Sequence, residues 1–86
     1  MSEIVMYSTA ACPYCRRAKT LLDKKGVSYT EIRVDIQPEL RPEMIQRSGR
    51  TSVPQIFIGD VHVGGCDDMY ALERAGELDK LLKQPA

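Results

Sequence analysis

Residues 4–15 read IVMYSTAACPYC, and this stretch decides the fold. Its first four residues form an apolar run that is too short for a helix and typical of a buried strand. From Pro13 onward, apolar residues recur at helical spacing to about Lys25, where a glycine ends the pattern. The stretch therefore predicts a strand followed directly by a helix, with Cys12 and Cys15 at the junction.

The rest of the chain continues with strand and helix patterns. Residues 27–34 are rich in β-branched and aromatic side chains, which predicts a second strand. A glycine-aspartate turn later separates two short apolar runs, which predicts a hairpin. The predicted elements after the first helix are a strand at 27–34, a helix from Pro38 to Ser48, strands at 53–58 and 61–63, and helices at 67–75 and 78–82.

This order of elements predicts an α/β fold with a four-stranded mixed sheet. The first two strands are parallel because a helix connects them, and the hairpin adds two antiparallel strands to the same sheet. Helices are expected on both faces of the sheet. In such folds ligands bind at the carboxyl ends of strands. The loop with Cys12 and Cys15 lies at such an end, so we expect the functional site there.

Composition excludes several classes of protein. The 86 residues suffice for one small domain, and 43% hydrophobic and 28% charged residues are ordinary for a globular chain. Twelve basic residues balance twelve acidic ones, so nucleic acid and anionic membranes are not expected partners. No leader pattern and no apolar run of ~18 residues is present, so we expect a cytoplasmic protein.

The two cysteines at the junction predict redox chemistry. Cys12 falls at the start of the helix, where free backbone N–H groups and the helix dipole stabilise a thiolate, and Arg16 and Arg17 add positive charge. We therefore interpret Cys12 as the nucleophile. Cys15 points back toward the interior, where loss of hydration opposes ionisation, and suits the later attack on a mixed disulfide. Cys15 is the predicted resolving thiol.

A structural zinc site is an alternative interpretation of the cysteines. His62 and Cys66 have the spacing of a ligand pair, and with Cys12 and Cys15 they would form a Cys₃His set. The two pairs are much farther apart in the chain than the ~12–20 residues typical of zinc modules. We expect His62 to be an exposed strand residue and no metal to be bound.

The sequence around the third cysteine has two interpretations. A Gly64-Gly65 pair before Asp67 and Asp68 can form a helix N-terminus that binds a carboxylate, while an aspartate binds an ammonium group. Both features match the head group of an α-amino acid. The alternative is a simple capping turn with no ligand.

Three motifs stand out along the chain: Cys12-Pro13-Tyr14-Cys15, Ser52-Val53-Pro54 and Gly64-Gly65-Cys66-Asp67-Asp68. In their order and spacing they resemble the motifs of the glutaredoxins, most closely those of the small bacterial dithiol type. The resemblance covers essentially the whole chain. It implies a thioredoxin-like fold over residues 1–86 and glutathione-dependent reduction of protein disulfides and glutathionylated thiols. Glutathione would be a co-substrate, with no bound cofactor.

The resemblance also assigns residues to glutathione binding. Tyr14 flanks the bound tripeptide, while Gly65, Asp67 and Asp68 hold its γ-glutamyl end. The expected partners are therefore glutathione and proteins that carry disulfides or glutathionylated thiols, and the chain is expected to be a monomer. A further alternative is a dimer that binds an iron–sulfur cluster through Cys12 and glutathione, which the proline after Cys12 is thought to disfavour.

Two further assignments and two departures concern the other side of the site. The resemblance implies a cis Val53-Pro54 bond, with the valine backbone pairing with the cysteine of glutathione, and places Arg41 at the glycine carboxylate. The family usually has a lysine three residues before the first cysteine, where this chain has Thr9. Ser52 replaces the usual threonine and keeps its hydroxyl group.

Overall fold

The structure, a computed structural model, describes residues 3–83, and its elements follow the predicted order. Strand and helix alternate up to the hairpin, and two helices follow it. The strands are β1 Ile4–Ser8, β2 Thr30–Arg33, β3 Gln55–Ile58 and β4 Val61–Gly64, and the α-helices are α1 Pro13–Lys24, α2 Arg41–Ser48, α3 Cys66–Arg74 and α4 Leu78–Lys83.

The sheet has the strand order β2-β1-β3-β4. β1 and β2 are parallel, whereas β1 pairs with β3 and β3 with β4 in antiparallel fashion. The mixed four-stranded α/β sheet is therefore confirmed. The turn between β3 and β4 lies beside the start of β1, because the Gly59 N–H donates to the Glu3 carbonyl at 2.7 Å. The end of β1 that leads to Cys12 is at the opposite edge.

Helices cover both faces of the sheet, as predicted. Successive side chains of β1 point to opposite faces. Met6 packs with α1, α3 and α4 in one core cluster, while Tyr7 packs with α2 in the other. Leu22 of α1 is fully buried in the first cluster, where burial of such a side chain contributes about 1.5–3 kcal/mol.

Three elements begin two or three residues later than predicted, each for a local reason. β2 begins only at Thr30, because the Val27 N–H still bonds the Leu22 carbonyl at the end of α1. β3 begins at Gln55, after a proline that has no N–H to donate to the sheet. The second helix does not start at Pro38: residues 38–40 form a 3₁₀ turn, and α2 follows.

The break before α2 comes from a second proline. In a continuous α-helix the N–H of Pro42 would bond the Pro38 carbonyl four residues earlier, and proline has no such group. The Pro38 carbonyl instead accepts the Arg41 N–H in a tighter turn. α2 then ends at Gly49, whose φ of 71° is the left-handed conformation that glycine adopts readily.

The longest helix, α1, has 12 residues. Within residues 3–83, none of the helices combines the length and the apolar character that a membrane crossing requires.

Candidate active site

Cys12 caps the N-terminus of α1. Its backbone is extended (φ −105°, ψ 110°), and its sulfur accepts the Cys15 N–H at 3.2 Å. Pro13 follows at the first helical position, where its missing N–H costs nothing. The Cys12 sulfur also lies 3.7 Å from the Val53 carbonyl, to which its thiol donates. Cys12 is thus held between the start of a helix and the loop before β3.

Cys15 lies one turn further along α1 and is only 1% exposed. Burial raises the pKa of its thiol to about 12, and a hydrogen bond with Cys12 acts in the same direction. The predicted loss of hydration at Cys15 is confirmed. Burial also raises the pKa of Cys66, helped by the negative charge of Asp67. Cys12, Cys15 and Cys66 are all free thiols.

The loop before β3 forms the wall opposite Cys12. The Val53-Pro54 peptide bond is cis, as the resemblance implied, and Pro54 is buried. The side chain of Gln55, fully buried, donates to the Ser52 carbonyl at 2.9 Å. This bond joins the residues on either side of the Val53-Pro54 pair, so it holds the loop in place.

The start of α3 forms the third wall. Gly65 is the N-cap, and its N–H donates to the Asp68 carboxylate at 2.9 Å. This bond, followed by the ion pair with Arg50 at 2.8 Å, lowers the pKa of Asp68. Gly64 has φ +111°, and a side chain there would collide with the Asp68 carboxylate, so glycine is required. The predicted capping turn is therefore present.

These walls enclose an open cavity of about 420 Å³ beside Cys12. It brings together most of the residues expected to bind glutathione, from the first helix, the cis-proline loop and the start of α3. Tyr14, which lines it, is 50% exposed, and the Arg17 guanidinium lies 5.6 Å from the centre of its ring. The lining residues are Tyr14, Arg50, Ser52, Val53, Pro54, Gly65, Cys66, Asp67 and Asp68.

One residue expected to bind glutathione lies outside the cavity lining, as do Cys12 and Cys15, and the lining includes an arginine that was not predicted. Arg41, at the start of α2, donates to the Thr51 carbonyl at 2.6 Å and does not line the cavity. Arg50 was not predicted, yet it lines the cavity and pairs with Asp68. Its place just before the Ser52-Val53-Pro54 motif is the sequence signal that would have identified it.

The structure does not assemble the Cys₃His set. His62 is half-buried, so the expected exposed position was wrong: its ring stacks on Phe57 at 4.8 Å and its Nε2 bonds the Gln55 side chain at 2.7 Å. Phe57 belongs to the core cluster on the α2 face, whereas Cys66 belongs to the cluster on the α1 face. The sheet therefore separates His62 from Cys66. Within residues 3–83, no three metal-ligating side chains come together.

Comparisons with known proteins agree with this geometry. The family model for glutaredoxin matches residues 4–63. A glutaredoxin of Pseudomonas aeruginosa is 61% identical over 82 residues, which cover 95% of this chain and 98% of that protein. Glutaredoxin 3 of Escherichia coli is 57% identical over 83 residues, covering 96% of this chain and 100% of that protein.

A solved structure shares the fold. The crystal structure of a buckwheat glutaredoxin–glutathione complex superimposes with a TM-score of 0.86 at 34% identity, covering 94% of this chain and 76% of that chain. The fold is thioredoxin-like, as the sequence resemblance implied. Sequence, fold and the Cys12 site agree, and the chain belongs to the glutaredoxin family of thiol-disulfide oxidoreductases.

Proposed function

We propose that this chain reduces disulfides with glutathione as co-substrate, through Cys12 and Cys15. The observation that carries the proposal is the position of the Cys12 sulfur, which lies 3.7 Å from the Val53 carbonyl beside a cavity of about 420 Å³. That volume is within the ~300–1,000 Å³ range of small-molecule sites. A peptide thiol lying along Val53 would place its own sulfur against Cys12.

The cavity suits the middle of a tripeptide. Val53 precedes β3, and its backbone faces the Cys12 side of the loop. An extended peptide can bind such a segment through backbone hydrogen bonds, as an added strand does. Tyr14 supplies an aromatic surface on the other side of the cavity. The cysteine residue of glutathione would bind between them.

The start of α3 suits the γ-glutamyl end of glutathione, which carries an ammonium group and a carboxylate. Asp67 is exposed and lines the cavity, so its carboxylate is available to the ammonium group. The helix N-terminus at Gly65 favours the carboxylate. Asp68 serves this subsite by capping the helix and by holding Arg50 at the cavity wall.

The glycine carboxylate would lie near the opposite end, with Arg41 as its proposed partner. Arg41 is half-buried and bonds the carbonyl of Thr51, two residues before Val53. A rotation of its flexible side chain would bring the guanidinium toward the end of the peptide. Because Thr9 has no charge, Arg41 is the main cation proposed for this carboxylate.

The chemistry proceeds by two thiol–disulfide exchanges. The Cys12 thiolate attacks the glutathione sulfur of a glutathionylated protein, so that a Cys12–glutathione disulfide forms and the protein thiolate leaves and takes a proton from water. A second glutathione thiolate then attacks the glutathione sulfur of that disulfide. Oxidised glutathione is released, and Cys12 returns to the thiol state. No bound cofactor is needed in this cycle.

Protein disulfides require Cys15. Attack of Cys12 on such a disulfide leaves the protein attached to Cys12, and Cys15 then attacks the Cys12 sulfur to free the protein thiol. The product is a Cys12–Cys15 disulfide, which glutathione reduces. Three free thiols fit a reducing compartment, so we place the reaction in the cytoplasm.

The test is a coupled assay with glutathione, a glutathione mixed disulfide and a reductase that reports oxidised glutathione. Turnover that depends on both glutathione and the mixed disulfide supports the proposal, and turnover no faster than the uncatalysed exchange contradicts it. The iron–sulfur dimer is tested separately. Protein purified without oxygen should be colourless and elute as a monomer, whereas a coloured dimer would favour the cluster.

A further inference from the structure

A polar cluster on the α1 side of the sheet plays no part in the glutathione site. Ser8, the last residue of β1, is fully buried, and its hydroxyl donates to the Glu31 carboxylate at 2.5 Å. The Lys19 ammonium pairs with the same carboxylate oxygen at 2.5 Å. The Lys19 and Glu31 side chains are only 31% and 26% exposed. Polar groups buried in this way require partners, and the Glu31 carboxylate is the partner of both the Ser8 hydroxyl and the Lys19 ammonium.

The cluster lies alongside the resolving thiol. Lys19 follows Cys15 by four residues on α1, so the two side chains share one face of the helix, with Cβ atoms about 5–6 Å apart. Ser8 points to the same side of β1 as Met6, which is the α1 side. The backbone of Thr9, the next residue, hydrogen-bonds Cys15. β1, β2 and α1 therefore converge on Cys15.

Two charged side chains and one thiol face Cys15. Cys12 and Lys19 face it from α1, and both act on its ionisation. Arg33 faces it from β2, but its guanidinium is occupied by a two-bond pair with Asp35 at 2.7 and 2.8 Å. Lys19 shares its carboxylate with the Ser8 hydroxyl.

Glu31 anchors Lys19. Burial by itself would raise the pKa of Glu31, but the bonds from Lys19 and Ser8 outweigh it and lower the pKa. Glu31 is therefore ionised at neutral pH and holds Lys19 at the sheet surface. The Lys19 charge in turn lowers the pKa of Cys15 against the larger effect of burial.

We propose that Lys19, held by Glu31 and Ser8, is a positioning residue for Cys15 that favours the loss of its proton when the Cys12–Cys15 disulfide closes. The inference rests on the proposed dithiol function. In this step the Cys15 proton passes to water, and the Cys15 thiolate attacks the Cys12 sulfur of the mixed disulfide. The bond from Cys12 to the substrate sulfur breaks, and the substrate leaves as a thiolate. A positive charge near Cys15 stabilises the attacking form.

The step can be observed with dithionitrobenzoate, an aromatic disulfide that releases a coloured thiolate. Attack by Cys12 releases one equivalent in a first phase, and closure by Cys15 releases the second. In wild-type protein the second phase should accelerate with pH, because the Cys15 thiolate fraction rises. Lys19→Met should slow the second phase at neutral pH by roughly threefold to tenfold and displace its pH profile to higher pH. The first phase should change much less.

Control variants distinguish the loss of the Lys19 charge from a general loss of stability. Lys19→Arg keeps the charge and should restore most of the second phase. Lys24→Met removes another lysine of α1, an exposed one, and should leave both phases unchanged. Any second phase that remains in Cys15→Ser comes from another thiol and is subtracted from the wild-type signal. The melting temperature of each variant is measured alongside, because a change in stability alone does not displace a pH profile.

The outcomes distinguish this inference from the proposed function. A second phase in Lys19→Met with the wild-type rate and pH profile would overturn the inference alone. Equal slowing of both phases would also overturn it, because Lys19 would then act on the whole site. If wild-type protein showed no second phase beyond that of Cys15→Ser, the dithiol function itself would fail.

Discussion

Two helices, α1 and α3, begin at the cavity, and their first turns differ in charge. α3 has Asp67 and Asp68 in its first turn, and the Asp68 carboxylate caps the Gly65 N–H. α1 has no acidic residue there, and its capping acceptor is the Cys12 sulfur. A carboxylate neutralises a helix N-terminus, whereas a sulfur in its place receives the stabilisation itself. One helix start thus has a sulfur as its cap, and the other has a carboxylate. We expect the first to support reactivity and the second to support structure and binding.

The largest effect is expected from replacing the cysteine at the N-terminus of α1. Cys12→Ser should reduce turnover to the uncatalysed background with every disulfide, because the sulfur that attacks the substrate is lost. Cys15→Ser should keep the reaction with glutathione mixed disulfides and lose the direct reduction of protein disulfides. Both variants are assayed with a glutathionylated peptide and with a protein disulfide. Equal losses in the glutathione assay would show that the two roles are wrongly assigned.

The next effect concerns Thr9, which leaves the α1 side without the usual lysine. Arg41→Ala should raise the glutathione concentration for half-maximal rate, since a charge-assisted contact is worth about 1.5–3 kcal/mol, and less in an exposed position. Added salt should reduce the difference. Thr9→Lys should partly rescue the variant. An unchanged glutathione dependence in Arg41→Ala, together with a shift in Arg16→Ala, would place the carboxylate at the first helix.

A smaller effect tests the cap of α3. Asp68→Ala should lower the free energy of unfolding by about 1 kcal/mol, the usual cost of a lost cap, measured as a shift of the urea midpoint at constant slope. Asp68→Asn keeps the acceptor for Gly65 and should cost less. Because Asp68→Asn removes the charge that holds Arg50 at the cavity, this variant should weaken glutathione binding even though the cap is kept.

The contribution of Asp68 to stability should depend on pH. The pKa of Asp68 is lower in the folded protein than the ordinary value of about 3.9, so its charge contributes stability above that value. This contribution decreases as pH falls through the folded pKa. The difference in urea midpoint between wild type and Asp68→Asn should therefore be constant near neutral pH and vanish in acid. A difference that persisted at low pH would mean that the carboxylate charge is not its source.

The smallest effect belongs to Cys66, the first residue of α3. Cys66→Ser should leave turnover with glutathione nearly unchanged, because the buried thiol has a raised pKa and no part in the exchange. The variant should also lose any glutathione adduct that oxidised glutathione forms at the third thiol, as seen by mass. A loss of turnover as deep as that of Cys12→Ser would make the two helix starts functionally equal.

Local patterns account for most of the fold and for the residues nearest the sulfur. Cys12, Cys15 and the cis-proline motif are contiguous signals that the structure places together. The helix stop at Gly49 also followed directly from the sequence. The start of α2 could not be predicted in this way, because it depends on the Pro38 carbonyl, to which Pro42 has no N–H to donate.

Contacts between distant segments could not be predicted in this way. Arg50 reaches Asp68 across 18 positions, and Glu31 meets Lys19 only because β2 lies beside β1 and under α1. Such pairs depend on the register of the sheet and on the paths of side chains. The His62 prediction failed for the same reason, because its burial comes from Phe57 on the neighbouring strand.

The Gly59–Asp60 turn has a practical consequence for handling the protein. It lies beside the start of β1, and β1 spans five residues, so roughly 16 Å of strand separates the turn from the reactive edge. Asp60 is exposed. A fluorophore or a surface tether attached there would leave the face that receives substrates open to solution. Immobilised protein oriented through this turn should retain full access to bulky oxidised proteins.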